Sequence, residues 1–295
     1  PYFYCRIFLF ALYYYFCSIY YLNMTLKSRN RIISYLFYIT FAFFLLFLGL
    51  FIYSLITDRL TFPKVEDITN KSTFILFKYS PISVIISCFI EIIFSCFTLR
   101  IILRGFEKTQ SSHVLFFSLF LTALALDSFR IFIPLFNING IFSEQLFFIG
   151  NILIFSKILA ILSLMLTNYI NPDEPIQNNE RTCIIIIVAA LFFAIFIPVN
   201  TTTILPNFAV SHGYHKLLKS LQFVVVILNA ISLIFYNSDR EFSQTTTIAF
   251  TIMSFGYYFL IYNTTIIGLT ISTLLLFIGA YKYLKELHNQ YLLYD

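Results

Sequence analysis

Charge is what this sequence lacks most. Only 11% of its 295 residues are Asp, Glu, Lys or Arg, against the roughly 25% that a water-soluble domain carries. Hydrophobic residues make up 59% of the chain, with 38 Phe and 21 Tyr but no Trp. No soluble fold hides that much apolar surface, so the excess must face lipid. The net charge of +5 is spread over connections rather than gathered into a basic patch, which excludes tracking of a nucleic-acid backbone.

The motifs of common chemistries are also missing. There is no P-loop, G-x-G-x-x-G, G-x-S-x-G or H-E-x-x-H, which leaves no site for nucleotide-driven, acyl-transfer or zinc-hydrolase chemistry of those types. The five cysteines, Cys5, Cys17, Cys88, Cys96 and Cys183, lie in apolar stretches without a C-x-x-C pair and read as small hydrophobes. The four histidines are His113, His212, His215 and His288, all in or near loops. Only His212 and His215 are close in sequence; beside Tyr214 and Lys216 they read as part of a solvated loop, the alternative being a weak metal or anion site. The D-R-Y signature of rhodopsin-like receptors is absent: Asp127-Ser128-Phe129-Arg130 falls inside an apolar run. No cofactor or metal is expected.

What is present is a series of apolar runs. A helix needs about 20 apolar residues to cross a hydrocarbon core of roughly 30 Å. By that ruler the spans are about 32–56, 81–103, 114–136, 146–170, 183–199 and 218–236. The run 246–281 is too long for one untilted helix and is divided at Tyr262-Asn263-Thr264 into two. The expected fold class is therefore all-α, a polytopic transmembrane helix bundle of about eight spans with short loops and no soluble domain. The longest polar connections, 57–80 and 200–216, are loop-sized. Met24, followed by basic residues and an apolar run, reads as a start; residues 1–23 are then either an untranslated or interfacial stretch or, equally, a ninth span over 2–22. Residues 24–295 then form a single transmembrane helical domain.

Orientation follows from Lys and Arg beside the span ends, which favour the cytoplasmic side. Lys27, Arg29 and Arg31 put the start of the first span inside; eight spans then place Arg100, Arg104, Lys108, Arg181, Arg240, Lys282 and Lys285 inside as well. Arg59, Lys64, Lys71, Lys78, Lys216 and Lys219 fall outside. Both termini are expected in the cytoplasm, and a bacterial inner membrane is the expected location.

Charges within spans are costly, by about 2.5–3.5 kcal/mol on insertion scales, and call for a reason. Glu91, Asp127, Arg130 and Lys157 are such charges, and the two acids balance the two bases. Asp127 and Arg130 stand three residues apart on one helix face, which leaves Glu91 and Lys157 as the natural second pair. The four are expected to meet in one interior cluster, with Ser87, Glu91, Ser95 and Thr98 forming a polar stripe that faces protein. Such a cluster serves either as a fixed ionic lock or as a proton relay or ligand site; the lock is favoured. Gln222, Asn229, Ser232, Thr247, Thr251, Ser254 and Tyr258 make a second polar group, explained by hydrogen bonding between helices. Small residues four apart, Ala190 and Ala194, then Gly268 and Ser272, mark close-packing seams.

No catalytic constellation emerges, so the chain is not expected to be an enzyme. The function expected is that of a non-catalytic membrane sensor or accessory subunit, with membrane lipid around it. Its cytoplasmic tail (Lys282, Lys285, Glu286, His288, Tyr291) is suited to a protein partner. The alternatives are a transporter of a small solute or ion using the charged cluster, and a membrane enzyme acting on a lipid-linked substrate.

Overall fold

The computed structural model describes residues 26–57, 78–107, 112–136, 143–169, 176–235 and 244–292. Residues 1–23, with the expected ninth span, lie outside the described residues, as do Arg59, Lys64, Lys71, Lys108 and Arg240. Helices α1 (Leu26–Ile56) and α2 (Pro81–Gly105) come first, then α3 (Ser112–Asp127), which runs through a 3-10 segment (Ser128–Ile131) into the short α4 (Phe132–Leu135). Helices α5 (Ser143–Tyr169) and α6 (Ile176–Phe196) follow, then strands β1 (Val199–Ile204) and β2 (Val210–His212). Helices α7 (His215–Phe235), α8 (Gln244–Ile261) and α9 (Ile266–Leu292) complete the described chain.

Among the described residues, five helical stretches are long and apolar enough to cross a membrane: Leu26–Ile56, Pro81–Gly105, His113–Leu135, Glu144–Thr167 and Ile266–Asn289. The apolar parts of α6 and α8, Arg181–Phe196 and Thr245–Ile261, are shorter. Burial ranks these helices: 89% of the α3–α4 apolar window is covered by protein but only 17% of that of α1. The α3 stretch is thus the central post and α1 a peripheral helix. Along α1 the buried residues Ile33, Thr40, Phe47 and Ser54 repeat every seven positions, one seam on an otherwise outward-facing cylinder.

Contacts at the helix ends fix the alternation of the chain. At one end Ser80 donates its amide to the Thr264 carbonyl at 3.0 Å, and the Tyr79 hydroxyl donates to Pro206 O at 3.2 Å. There the start of α2, the β-hairpin and the α8–α9 turn meet. At the other end Arg29 at the start of α1 donates to Phe106 O at 2.6 Å, and His113 donates to Thr167 O at 2.8 Å. The turn at 262–265 is a built stop: Asn263 Oδ1 accepts the Thr265 amide at 3.1 Å, and Thr265 Oγ1 accepts the Gly268 amide at 3.1 Å. Those bonds satisfy donors that the new helix leaves free at its first turn.

Helices α8 and α9 pack backbone to backbone through Gly256 and Gly279. A Cβ on Gly256 would lie 2.5 Å from the Leu276 nitrogen, and one on Gly279 would lie 2.5 Å from the Met253 nitrogen. The expected seam at Gly268 faces the turn instead, where an added Cβ would lie 2.5 Å from Asn263 Oδ1. Ala190 and Ala194 are both buried.

The expectation of a plain loop over 200–216 is corrected by the antiparallel hairpin, in which Val199 pairs with His212 and Ile204 with Val210 across a register shift. The cause is local. Val199, Thr201, Thr202, Thr203 and Ile204 are β-branched and favour extended backbone, while Pro206-Asn207 begins the turn. Phe208 adopts φ 62°, an uncommon conformation for a bulky residue. Its fully buried ring holds it there. The hairpin lies against α5, where a Cβ on Gly150 would meet Val199 Cγ1 at 2.6 Å.

Candidate functional site: a divided charge cluster

The polar stripe on α2 faces protein: Ser87, Glu91 and Ser95 are fully buried and Thr98 nearly so. Arg130, in the 3-10 segment, is 0% exposed and fans its donors over three elements. Nη2 bonds Glu91 Oε1 and also Ser87 Oγ at 3.1 Å; Nε donates to Cys88 Sγ at 3.2 Å; Nη1 donates to Ile261 O at 2.5 Å. Asp127 Oδ2 stands 3.6 Å from Nη1. One guanidinium therefore ties α2, the α3 stretch and the last carbonyl of α8 together. A planar fork suits this task, since it supplies several donors in fixed directions. Cys88 contributes more than the apolar filling expected of it, because its sulfur accepts one of these bonds.

The expected partner for Glu91 was Lys157, and the structure corrects this: Glu91 pairs with Arg130. Lys157 is 2% exposed on α5, yet neither carboxylate lies within 4 Å of its ammonium among the described residues. The reason is directional. Side chains lean toward the N-terminus of their helix, and the α5 N-terminus lies at the hairpin end. Lys157 accordingly points up to Tyr262, with Nζ 5.6 Å from the ring centroid. It still interacts through space with Asp127 and Glu91, so the four charges lie in one buried neighbourhood, and the preceding residue adds a bond: Ser156 Oγ donates to Asp127 Oδ1 at 3.3 Å.

Around Tyr262 the structure gathers residues that sequence reasoning kept apart. Lys219 Nζ lies 4.8 Å from the same ring centroid and the His215 ring 6.4 Å from it. His212 and His215 face each other at 5.2 Å between centroids. The Tyr262 hydroxyl donates to Gln222 Oε1 at 2.5 Å, and Gln222 Nε2 donates to Tyr257 Oη at 3.3 Å. The solvated-loop reading of His212 is overturned: it is 5% exposed, and neither ring nitrogen has a hydrogen-bond partner among the described residues. Burial, with Lys157 and His215 nearby, pushes its imidazole down to about 3, so it is neutral at ordinary pH. The sequence signal for this site was the H-x-x-H spacing followed by Lys219 one turn into α7; what it did not carry was the fold of the hairpin over Lys157.

Among the described residues no group of three or more His, Cys, Asp or Glu is arranged to hold a metal ion. Comparison with protein-family models, curated proteins and solved structures finds no match.

Proposed function

We propose that this chain is a multi-pass membrane protein acting as a non-catalytic sensor or accessory subunit. The observation that carries the reading is the division of the buried charges. Glu91 and Asp127 share the one guanidinium of Arg130 in a buried knot suited to fixing helix register, an accepted use of buried ion pairs, and Lys157 supplies the charge that balances the second acid. Lys157 is left beside two histidines and a second lysine, a receptive arrangement rather than a catalytic one. In this reading the chain crosses a bacterial inner membrane about eight times with both termini in the cytoplasm. The alternating end contacts support that count, with α6, α7 and α8 as the additional spans. The tail with Lys282, Lys285, Glu286 and His288 then lies at the cytoplasmic end, where the exposed Lys282 and Lys285 are available to a partner protein.

A second reading, transport of a small solute or ion, draws support from the 3-10 segment at Ser128–Ile131. Such interruptions at buried charges accompany functional hinges and the broken helices of transporters. The two readings part on one experiment. Purified chain in liposomes is assayed for uptake beside its Glu91→Gln variant, and the membrane extract is examined for proteins that co-purify through the tail. A stoichiometric partner lost on truncation after Tyr281, with no uptake, supports the sensor reading. Uptake abolished by Glu91→Gln in a folded protein overturns it in favour of transport.

A further inference from the structure

We propose that Lys157, His212, His215 and Lys219 form a binding site for a small oxyanion, a carboxylate or phosphate group, with the ring of Tyr262 as one wall. The inference deepens the sensor reading and rests on it for its consequence, although the binding itself is tested independently.

The elements that build the site converge from separate parts of the chain. Lys157 comes from α5, His212 from β2, and His215 and Lys219 from successive turns of one face of α7. Both ammonium groups address the ring of Tyr262, at 5.6 and 4.8 Å from its centroid, so they lie within about 10 Å of each other, the sum of those two distances. Neither has a carboxylate within 4 Å among the described residues, where Arg130 holds both ion pairs. Lys157 is buried, and burial makes its charge costly. An anion bound beside the two ammonium groups would offset that cost.

His212 adds an independent pointer. A buried polar atom without a partner is uncommon, because its desolvation is uncompensated. His212 has two such nitrogens, and His215 Nδ1 is a third on the facing ring. A neutral imidazole offers one N–H donor, and an oxyanion accepts several bonds, so donors from two rings and two ammoniums match its capacity. A metal cation fits worse: the pair of imidazoles supplies only two ligands, and both lysines repel it. Asp127 acts on Lys157 through space but forms its ion pair with Arg130, and no carboxylate lies within 4 Å of the lysine ammonium among the described residues.

The test is equilibrium binding on the full chain in nanodiscs, by titration calorimetry, with inorganic phosphate and acetate as probes and Zn²⁺ as a cross-check. Nanodiscs of phosphatidylcholine and of phosphatidylglycerol distinguish a free solute from a lipid headgroup. Saturable binding of either anion is expected, weakened at least tenfold by Lys219→Gln, an exposed position whose change leaves the fold intact, and by His212→Gln. Phosphate binding that survives in phosphatidylglycerol identifies a soluble ligand; competition by that lipid identifies a headgroup. Both support the site. Absence of saturable binding in wild-type protein, or binding untouched by both substitutions, overturns the proposal, as does Zn²⁺ binding lost in His212→Gln without any anion binding. Because the measurement uses the purified chain alone, its failure leaves the partner-dependent sensor reading to be judged separately by co-purification.

Discussion

Replacing Arg130 with Met isolates the energetic role of the buried knot. The wild-type guanidinium compensates Glu91 directly, stands 3.6 Å from Asp127, and donates to Ser87, Cys88 and the Ile261 carbonyl. Methionine fills much of the volume but returns none of these bonds, and it leaves two carboxylates in a fully buried setting with Lys157 as the remaining cation. Removing one member of a buried pair costs about 3–5 kcal/mol, mostly from the stranded charge. That is a large share of the roughly 5–15 kcal/mol by which folded proteins are stable. The double variant Arg130→Met/Glu91→Gln removes the stranded charge too, leaving Asp127 and Lys157 in formal balance, and is expected to recover at least half of the loss. Unfolding in mild detergent, followed by the fraction of monodisperse protein, measures all corners of the cycle. Arg130→Met with wild-type stability, or single-variant losses that simply add in the double, would refute the knot as a coupled unit.

Gly279→Ala and Gly256→Ala are each expected to destabilise by about 1–3 kcal/mol through overpacking of the α8–α9 seam, whereas Gly49→Ala, where a Cβ meets nothing within 4 Å, is neutral or slightly stabilising. Thermal unfolding of the three side by side checks the contrast. The depressed pKa of His212, about 3 in the fold, means that the unfolded chain binds the proton more readily. Its contribution to stability is therefore complete above its unfolded value of about 6.5 and declines as pH falls toward 3. His212→Gln should flatten that acid limb, with Lys157, Lys219, His215, Tyr262 and Asp127 as the remaining charged or titratable groups around it; identical limbs in the two proteins would contradict the assignment. Hydrogen exchange over 127–135 separates a static knot, which is uniformly slow, from a transporter hinge that opens during uptake.

The parts of this fold written in local sequence were readable, and the parts written in helix phase and tilt were not. The α8–α9 break follows from Asn263 and Thr265, polar residues with a capping habit inside a long apolar run. The protein-facing stripe on α2 follows from its spacing alone. Partner choice did not follow: Glu91 and Lys157 looked complementary by depth, yet the lean of Lys157 along α5 carries it toward the hairpin and away from the acid. The glycines that matter, Gly256 and Gly279, belong to different helices and share no spacing motif. The hairpin had a visible signal in the β-branched run Val199–Ile204, outweighed in a helical bundle by its position between two apolar helices.

The 3-10 segment explains how one arginine satisfies so many partners. An α-helix turns about 100° per residue, so positions three apart diverge by roughly 60° around the axis. A 3-10 helix turns about 120°, and positions three apart eclipse. Ser128–Ile131 takes that tighter path directly after Asp127, which lines Asp127 up under Arg130 and brings their charged groups to 3.6 Å. Over the three steps from Asp127 to Arg130 the extra rotation accumulates to about 60°, and the Arg130 donors end on α2 and the Ile261 carbonyl. The Ser128 hydroxyl, donating to Ala125 O at 2.5 Å, engages the turn where the winding changes. With Arg130 turned to Glu91 and 3.6 Å from Asp127, the guanidinium takes both ion pairs, while the other oxygen of Asp127 accepts from Ser156 on α5. The lysine on α5 is left to the aromatic and imidazole groups under the hairpin, so the geometry that locks the bundle is also what leaves a cation available for a ligand.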